Sequence, residues 1–311
     1  MEHSTRDILS IAMGMEVEQG RGSPNGGIYV SLSHLPKNLI DNLRNVLPPD
    51  YVYKYGGFNM EDYLPDLSTT AIEACPGCHF FNGGIKINEN CETNIKGLFA
   101  AGEVSGGVHG GNRLSGNAFT EILVFGHRAG LKAAAFAESM KHTQIDKTQV
   151  EELKERVMKP FGSKGTVSSI DLRKKLQNLA WSKVGVIREE KILEQALIDL
   201  KEIQEQIPEI GLVNKSPIYN REWMRALELE SMATTLEFII RASLERKESR
   251  AALYKRDYPR TDNNKWLKIV AIEKRDGSMI TEHEPVVITK IKPPEGIYEY
   301  GFLGERERID G

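Results

Sequence analysis

Cysteine is scarce, three residues in a chain of 311, and so small and odd a number makes no disulfide framework. No run of about 18 apolar residues occurs, so no segment reads as a membrane-spanning helix. The opening residues, M-E-H-S-T-R-D, lack the basic-then-apolar layout of a secretory signal. These absences point to a reducing, cytoplasmic setting. Positive charge is not in surplus either: the formal net charge is −3. That argues against a nucleic-acid partner held by a broad basic surface. Also missing is a strand followed by G-x-G-x-x-G with an acidic residue roughly 20 positions on, the usual dinucleotide fingerprint.

What the chain does have is concentrated between Cys75 and Ala137. The stretch opens as C-P-G-C-H-F-F-N-G-G-I-K-I-N (Cys75–Asn88) and passes through G-L-F-A-A-G-E (Gly97–Glu103). It then enters S-G-G-V-H-G-G-N-R-L-S-G (Ser105–Gly116) and continues as a helical pattern near Asn117. Gly97–Glu103 reads as a short buried strand ending in a carboxylate. Strand, glycine-rich loop and helix N-terminus together can hold a ligand against backbone N–H groups. The loop's glycines let the backbone approach where a Cβ would collide. Arg113, in its middle, offers a planar cationic fork for a carboxylate or phosphate. An ordinary strand–turn–helix crossover is the plain structural alternative.

The run H-F-F-N-G-G-I-K-I-N…G-L-F-A-A-G-E…H-G-G-N-R-L-S-G-N-A-F-T-E resembles the flavoprotein subunit of the succinate dehydrogenase/fumarate reductase family, with L-aspartate oxidase a close relative. In that family the G-x-G-x-x-G unit lies upstream of every residue matched here. The resemblance therefore implies that Met1 falls midway along a family-length polypeptide and that this chain corresponds to its C-terminal half.

Along the chain, Ser4-Thr5-Arg6-Asp7 signals a helix start, and Ile8, Ile11, Ala12 and Met15 follow at helical spacing. Gly20–Gly27 ends that helix, Ile28–Leu32 alternates as a strand, and a second helix is expected from Lys37 to about Val46. T-R-D…G-R-G…G-G-I-Y-V-S-L-S-H-L resembles the later part of the family's mobile cap. Thr120–Ala137 is apolar on most faces and is expected to be well buried. Residues Gln149 to about Arg250 are helical by pattern, broken at Pro160–Gly165 and Pro208–Pro217, and fit a small antiparallel bundle. W-S-K-V-G-V-I-R (Trp181–Arg188) and the stretch Glu245–Pro259 resemble the family's C-terminal helical region, although Leu253 stands near where relatives carry a histidine. Trp266–Lys292 reads as short strands turned at Asp276-Gly277.

The expected architecture is α+β and multidomain. A partial capping domain (1–71) precedes the C-terminal segment of an FAD-binding α/β domain (72–138). A helical bundle (139–262) and a small β-rich tail (263–311) follow, with the N-terminal Rossmann unit absent. The resemblance implies a flavin-dependent oxidoreductase interconverting fumarate and succinate, with hydride from flavin N5 and a proton from an arginine. Arg6, in T-R-D, matches that arginine; by its residues alone it is a first-turn helix arginine. His79 and Arg113 match substrate-carboxylate contacts. The FAD contacts carried over are His79, Phe80, Glu103, Arg113, Leu114, Ser115, Gly116, Asn117, Ala118 and Phe119. Phe119 is bulkier than the residue usual in relatives.

The expected partners are a dicarboxylate substrate, the missing N-terminal FAD-binding half and an iron–sulfur subunit, the last placing the protein at the cytoplasmic face of a membrane. No nucleic acid and no metal site is expected. Cys75-Pro76-Gly77-Cys78-His79 also spells the c-type haem attachment motif, but that chemistry needs export. Cys75 and Cys78 either pack as small apolar groups or close a labile disulfide, and packing is the expectation. Two rival readings stay open: an L-aspartate oxidase-like flavoenzyme, and a non-catalytic remnant whose bundle docks a partner. Against the remnant, Arg6, His79, Glu103 and Arg113 all stand at motif positions.

Overall fold

A computed structural model describes residues 4–40, 68–141, 144–290, 292–300 and 308–309. The chain divides into two compact units, Met1–Cys78 and His79–Gly311.

In the first unit, helix α1 (Arg6–Glu16) buries Ile11 and Ala12, as the apolar spacing requires. It runs on through a wider turn, Val17–Arg21, in which Gly20 takes φ 78°, a conformation that ends a helix cleanly only at glycine. Strand β1 (Ile28–Val30) pairs antiparallel with β2 (Ile72–Ala74), Tyr29 opposite Glu73. The Glu73 carboxylate accepts from Ser23 and from the Asn25 side chain, tying the loop before β1 to β2. Residues 37–40 are helical; the remainder of the helix expected to Val46 lies outside the described residues.

The second unit begins with an irregular stretch that leads into helix α2 (Asn117–Ser139). Gly97–Glu103 is not the buried strand its composition suggests. Phe99 makes one antiparallel bridge with Glu92, and Ala100 N–H donates to Cys91 C=O at 3.0 Å. A strand needs backbone partners along its whole length, and among the described residues this short return of the chain supplies them only at Leu98 to Ala100. Helix α2 also departs from expectation. Its one buried residue is Glu121, while Phe119, Ile122, Leu123, Val124 and Leu131 are exposed. The apolar pattern is real, but no described element covers those faces.

The helical region closes on itself. The helices are α3 (Lys147–Gly162), α4 (Ser169–Lys183), α5 (Glu190–Gln206) and α6 (Arg221–Glu245); α3 runs through Pro160 before it ends, and α4 and α5 are parted by a further break that no proline marks. Leu172, Leu176 and Leu179 of α4 meet Leu193, Ala196, Leu200 and Ile203 of α5, and Ala226, Leu229, Ala233, Leu236 and Ile240 of α6. The spacing of three and four puts each set on one helix face. Side-chain caps start three of these helices. Asp146 accepts from Thr148 and Gln149 N–H, Ser168 from Asp171 N–H, and Asn220 from Trp223 N–H. Trp223 fastens α3 to α6: its indole N–H donates to Val157 C=O at 2.8 Å and its ring meets Phe161 edge-on.

Short strands finish the unit. Strand β3 (Ile187–Arg188) pairs parallel with β4 (Tyr254–Lys255). Strands β5 (Arg260–Asp262), β8 (Ile297–Glu299) and β9 (Arg308–Ile309) form one antiparallel sheet. Strands β6 (Lys268–Arg275) and β7 (Ser278–Pro285) form a hairpin. Its turn puts Asp276 and Gly277 both at positive φ, 51° and 79°, the geometry that a two-residue Asp-Gly turn selects. The crossing between helices and strands is ionic. Glu248, fully buried, accepts from Arg246 at 2.5 Å, from Arg250 at 2.7 Å and from Asp262 N–H at 2.8 Å. A buried carboxylate persists when its oxygens are met by charged donors in this way.

Candidate functional site

The glycine-rich loop is held at close quarters by two backbones that touch. Ile85 N–H donates to Val104 C=O at 2.8 Å, and Gly106 N–H to Ile85 C=O at 3.0 Å. A Cβ on Gly84 would stand 2.3 Å from Val104 O, and one on Gly106 would stand 2.8 Å from Gly84 N. Only glycine at both positions lets the N-G-G segment lie against the loop. The far side of the loop rests on the end of the helical region: Ala252 N–H reaches Gly111 C=O at 3.4 Å, where a Cβ on Gly111 would collide with Ala251.

Within this frame several of the singled-out residues meet. Glu103 is exposed, and its Oε1 accepts from Phe81 N–H at 2.8 Å. Arg113 is tied down through its backbone, its N–H donating to Asn82 Oδ1 at 2.9 Å. Its guanidinium lies 4.4 Å from the centre of the Phe80 ring, a cation–π contact that fixes the fork's plane. His109 packs edge-on against the same ring at 5.3 Å. His79, one residue earlier, is exposed. The residues Leu114 to Asn117 are exposed along the entry to α2, and so is Phe119, at 67%. Arg6 belongs to the first unit, where it is the exposed first residue of α1.

Some polar atoms here are unusually placed. Arg113 Nε and His109 Nε2 are shut from solvent and meet no hydrogen-bond partner among the described residues. Buried donors are nearly always paired, so an orphan of this kind marks a place where another group is due. Helix α2 begins at Gly116, φ 85°, with no side-chain cap and no acidic residue in its first turn. Its positive end is therefore open to an electron-rich ligand.

Three residues outside the motif reading matter to the site. Asn82 sets the Arg113 backbone; its place inside H-F-F-N-G-G was the available signal. Glu121, only 4% exposed, accepts from Gly102 N–H at 2.9 Å while its other oxygen has no partner among the described residues. A lone carboxylate within an apolar helical run was its signal. Cys91 lies under the same helix, fully buried, its thiol donating to Phe125 C=O at 3.6 Å. Burial pushes that thiol up from its ordinary range, Glu121 adds to the rise, and Arg128 opposes it. Cys75 and Cys78, expected to pack, are exposed free thiols instead.

A family of fumarate reductase flavoprotein C-terminal domains matches residues 173–298, and a family of FAD binding domains matches residues 1–119. The chain is similar to flavoprotein subunits of succinate dehydrogenase and fumarate reductase. A fumarate reductase (CoM/CoB) polypeptide of Methanothermobacter marburgensis is 34% identical, over 88% of this chain and 48% of the relative. The fumarate reductase flavoprotein subunit of Haemophilus influenzae is 32% identical, over 96% of this chain and 50% of the relative. Among solved structures, Mycobacterium smegmatis Sdh1 in complex with UQ1 superposes with a TM-score of 0.80 at 30% identity, covering 92% of this chain and 47% of that one. The chain thus spans about half the length of the curated relatives it matches.

The family's cofactor is FAD, and the residues present fit its isoalloxazine end. They supply an uncapped helix N-terminus, an exposed carboxylate at Glu103, apolar Leu114 and Phe119, and an arginine with an unmet buried N–H. Among the described residues no helix is long and apolar enough to cross a membrane.

Proposed function

We propose that this chain forms the isoalloxazine-side and substrate-side part of a flavin-dependent oxidoreductase that interconverts fumarate and succinate. The observation that carries the reading is Arg113. Its guanidinium is held by the Phe80 ring and its backbone by Asn82, yet its Nε–H remains buried and unmet. A fixed planar fork with spare donors suits one carboxylate of a dicarboxylate.

FAD, when bound, supplies hydride at N5. The chain's own residues do the rest. Arg113 and His79 donate to a substrate carboxylate and align the carbon–carbon double bond. Glu103, one oxygen already on Phe81 N–H, accepts with the other from ribityl hydroxyls. The open end of α2 favours negative charge on the flavin's pyrimidine side. Leu114 and Phe119 exclude water from the ring. Arg6 delivers a proton from its guanidinium to the carbon that hydride does not attack. An iron–sulfur protein is the electron partner this reading implies.

The test is steady-state turnover of the flavin-loaded protein with fumarate, succinate and L-aspartate compared side by side. Preference for the unsubstituted dicarboxylates supports the reading. Preference for L-aspartate overturns it in favour of an aspartate oxidase.

A further inference from the structure

The exposed cysteine pair Cys75 and Cys78 takes no part in the site around Arg113. The residues between them are Pro76 and Gly77, the pair that a type II β-turn demands. Proline presets φ at the first central position and glycine supplies positive φ at the second. In such a turn the Cα atoms of the first and fourth residues lie within about 7 Å, inside the range of roughly 4.4–6.8 Å that a disulfide bridges. The sequence therefore encodes a turn that would bring the two thiols into bonding distance.

The turn is not made in this structure. Residues 75–78 form no hydrogen-bonded turn, and Gly77 is not among the glycines at positive φ. A Cβ at Gly77 would meet no atom of the described residues within 4 Å, so the segment has open space on that side. Each flank is held within its own unit. Upstream, Ala74 is paired with Ile28 in the β1–β2 ladder. Downstream, Phe81 N–H is bonded to Glu103 and Asn82 to the backbone of Arg113. Between these anchors lies Cys75 to His79, and an extended four-residue segment spans roughly 10 Å between its end Cα atoms. Closing it to a turn shortens the segment that leads into His79 and Phe80.

We propose that Cys75 and Cys78 are a thiol–disulfide site that exchanges with small disulfides and whose oxidation shortens the strap leading into His79 and Phe80. The thiolate of one cysteine attacks a sulfur of the small disulfide, forming a mixed disulfide and releasing one small thiolate. The other cysteine's thiolate then attacks the protein sulfur of that mixed disulfide and expels the second small thiolate. The two protons lost by the cysteines go to the two released thiolates, and two electrons pass to the small disulfide. Exposure of both sulfurs permits the first attack, and the Pro-Gly turn directs the second. The thiol chemistry is independent of the function proposed above; the consequence for His79 and Phe80 rests on it.

The experiment equilibrates the purified protein in buffers of oxidised and reduced glutathione, traps free thiols by alkylation, and weighs the tryptic fragments. Both cysteines fall in the fragment Tyr55–Lys86, and Cys91 falls in the next, Ile87–Lys96. The expected result is a Tyr55–Lys86 fragment two hydrogens lighter and closed to alkylation, restored by dithiothreitol, while buried Cys91 stays a thiol. Cys78→Ser should leave Cys75 as a lasting glutathione adduct. Separate adducts on both cysteines, or no oxidation at any ratio, overturn the site. Amide exchange at His79–Phe81 reads the strap: oxidation should change it severalfold in the wild type and not in Cys75→Ser. Unchanged exchange in fully oxidised protein overturns the strap. Neither readout needs flavin or turnover, so their failure is distinct from failure of the proposed activity.

Discussion

Two helices of nearly equal length behave in opposite ways. Helix α6 has 25 residues and α2 has 23. Helix α6 buries Ala226, Leu229, Ala233, Leu236 and Ile240, whereas α2 buries a single glutamate and exposes most of its leucine, isoleucine and valine. Helix α6 sits in a bundle whose partners are local in sequence, so its core completes itself. Helix α2 starts from the glycine-rich loop and, among the described residues, leaves most of its apolar side chains exposed and its positive end without a side-chain cap. Stability is thus concentrated in the bundle, and the proposed binding chemistry in the segment that is least finished by its own contacts. Mutations should separate the two.

The largest expected effect lies outside both helices. Arg6→Ala should cost about 10²–10⁴-fold in fumarate turnover if Arg6 supplies the proton, while substrate still binds and the melting temperature stays within a degree or two. Wild-type turnover in Arg6→Ala would leave Arg6 as a helix-start residue only. Next comes the bundle core. Leu229 is fully buried, and Leu229→Ala should destabilise the protein by about 2–5 kcal/mol, read as a lower urea midpoint. KM for the dicarboxylate should hold in protein that remains folded. A shift in KM as large as the shift in stability would break the comparison between bundle and loop.

Arg113→Lys is the converse. Loss of the planar fork should weaken dicarboxylate binding and turnover roughly 10-fold with little change in the urea midpoint. Unchanged steady-state constants would remove Arg113 from the substrate site. A large fall in stability would make it a structural member of the loop, tied through Asn82 and Phe80.

How much of this was legible beforehand follows the same division. The bundle could be read because its apolar spacing acts locally. The Asp276-Gly277 hairpin was legible for the same reason. The loop could be read through its glycines and Arg113, because close backbone approach leaves a direct trace in composition. Burial of α2 could not, since an apolar pattern states what a helix can bury and not whether a partner lies beside it. The strand expected at Gly97–Glu103 failed likewise, for want of neighbours along its length. Asn82 and Glu121 act through single hydrogen bonds to distant backbone, to Arg113 and to Gly102, and pairings of that kind have no period in sequence.

The smallest expected effect tests whether the bundle's stability owes anything to its ionic edge. Burial alone would raise the Glu190 carboxyl, but hydrogen bonds and charge from Lys247 and Lys255 outweigh it and hold the group below its ordinary range. Hydrogen bonds from Lys183 and Gln195 depress Asp199 in the same direction. A carboxyl depressed in the folded state adds stability at pH values above its unfolded value, about 4.3 for glutamate. That contribution disappears as pH falls through the folded value. The bundle should therefore hold its urea midpoint between pH 7 and 5 as far as Glu190 is concerned, and lose stability below about 4. Lys247 is partly exposed, 42% at its side chain, so solvent screening limits Lys247→Met to about 0–1 kcal/mol at pH 7. The decisive quantity is the gap between wild type and Lys247→Met. It should narrow in acid, because a protonated Glu190 no longer distinguishes the two proteins. A gap that stays constant from pH 7 to pH 3.5 would assign the effect to the Lys247 ammonium over the Tyr258 ring, and the pair with Glu190 would then add nothing measurable to the bundle's stability.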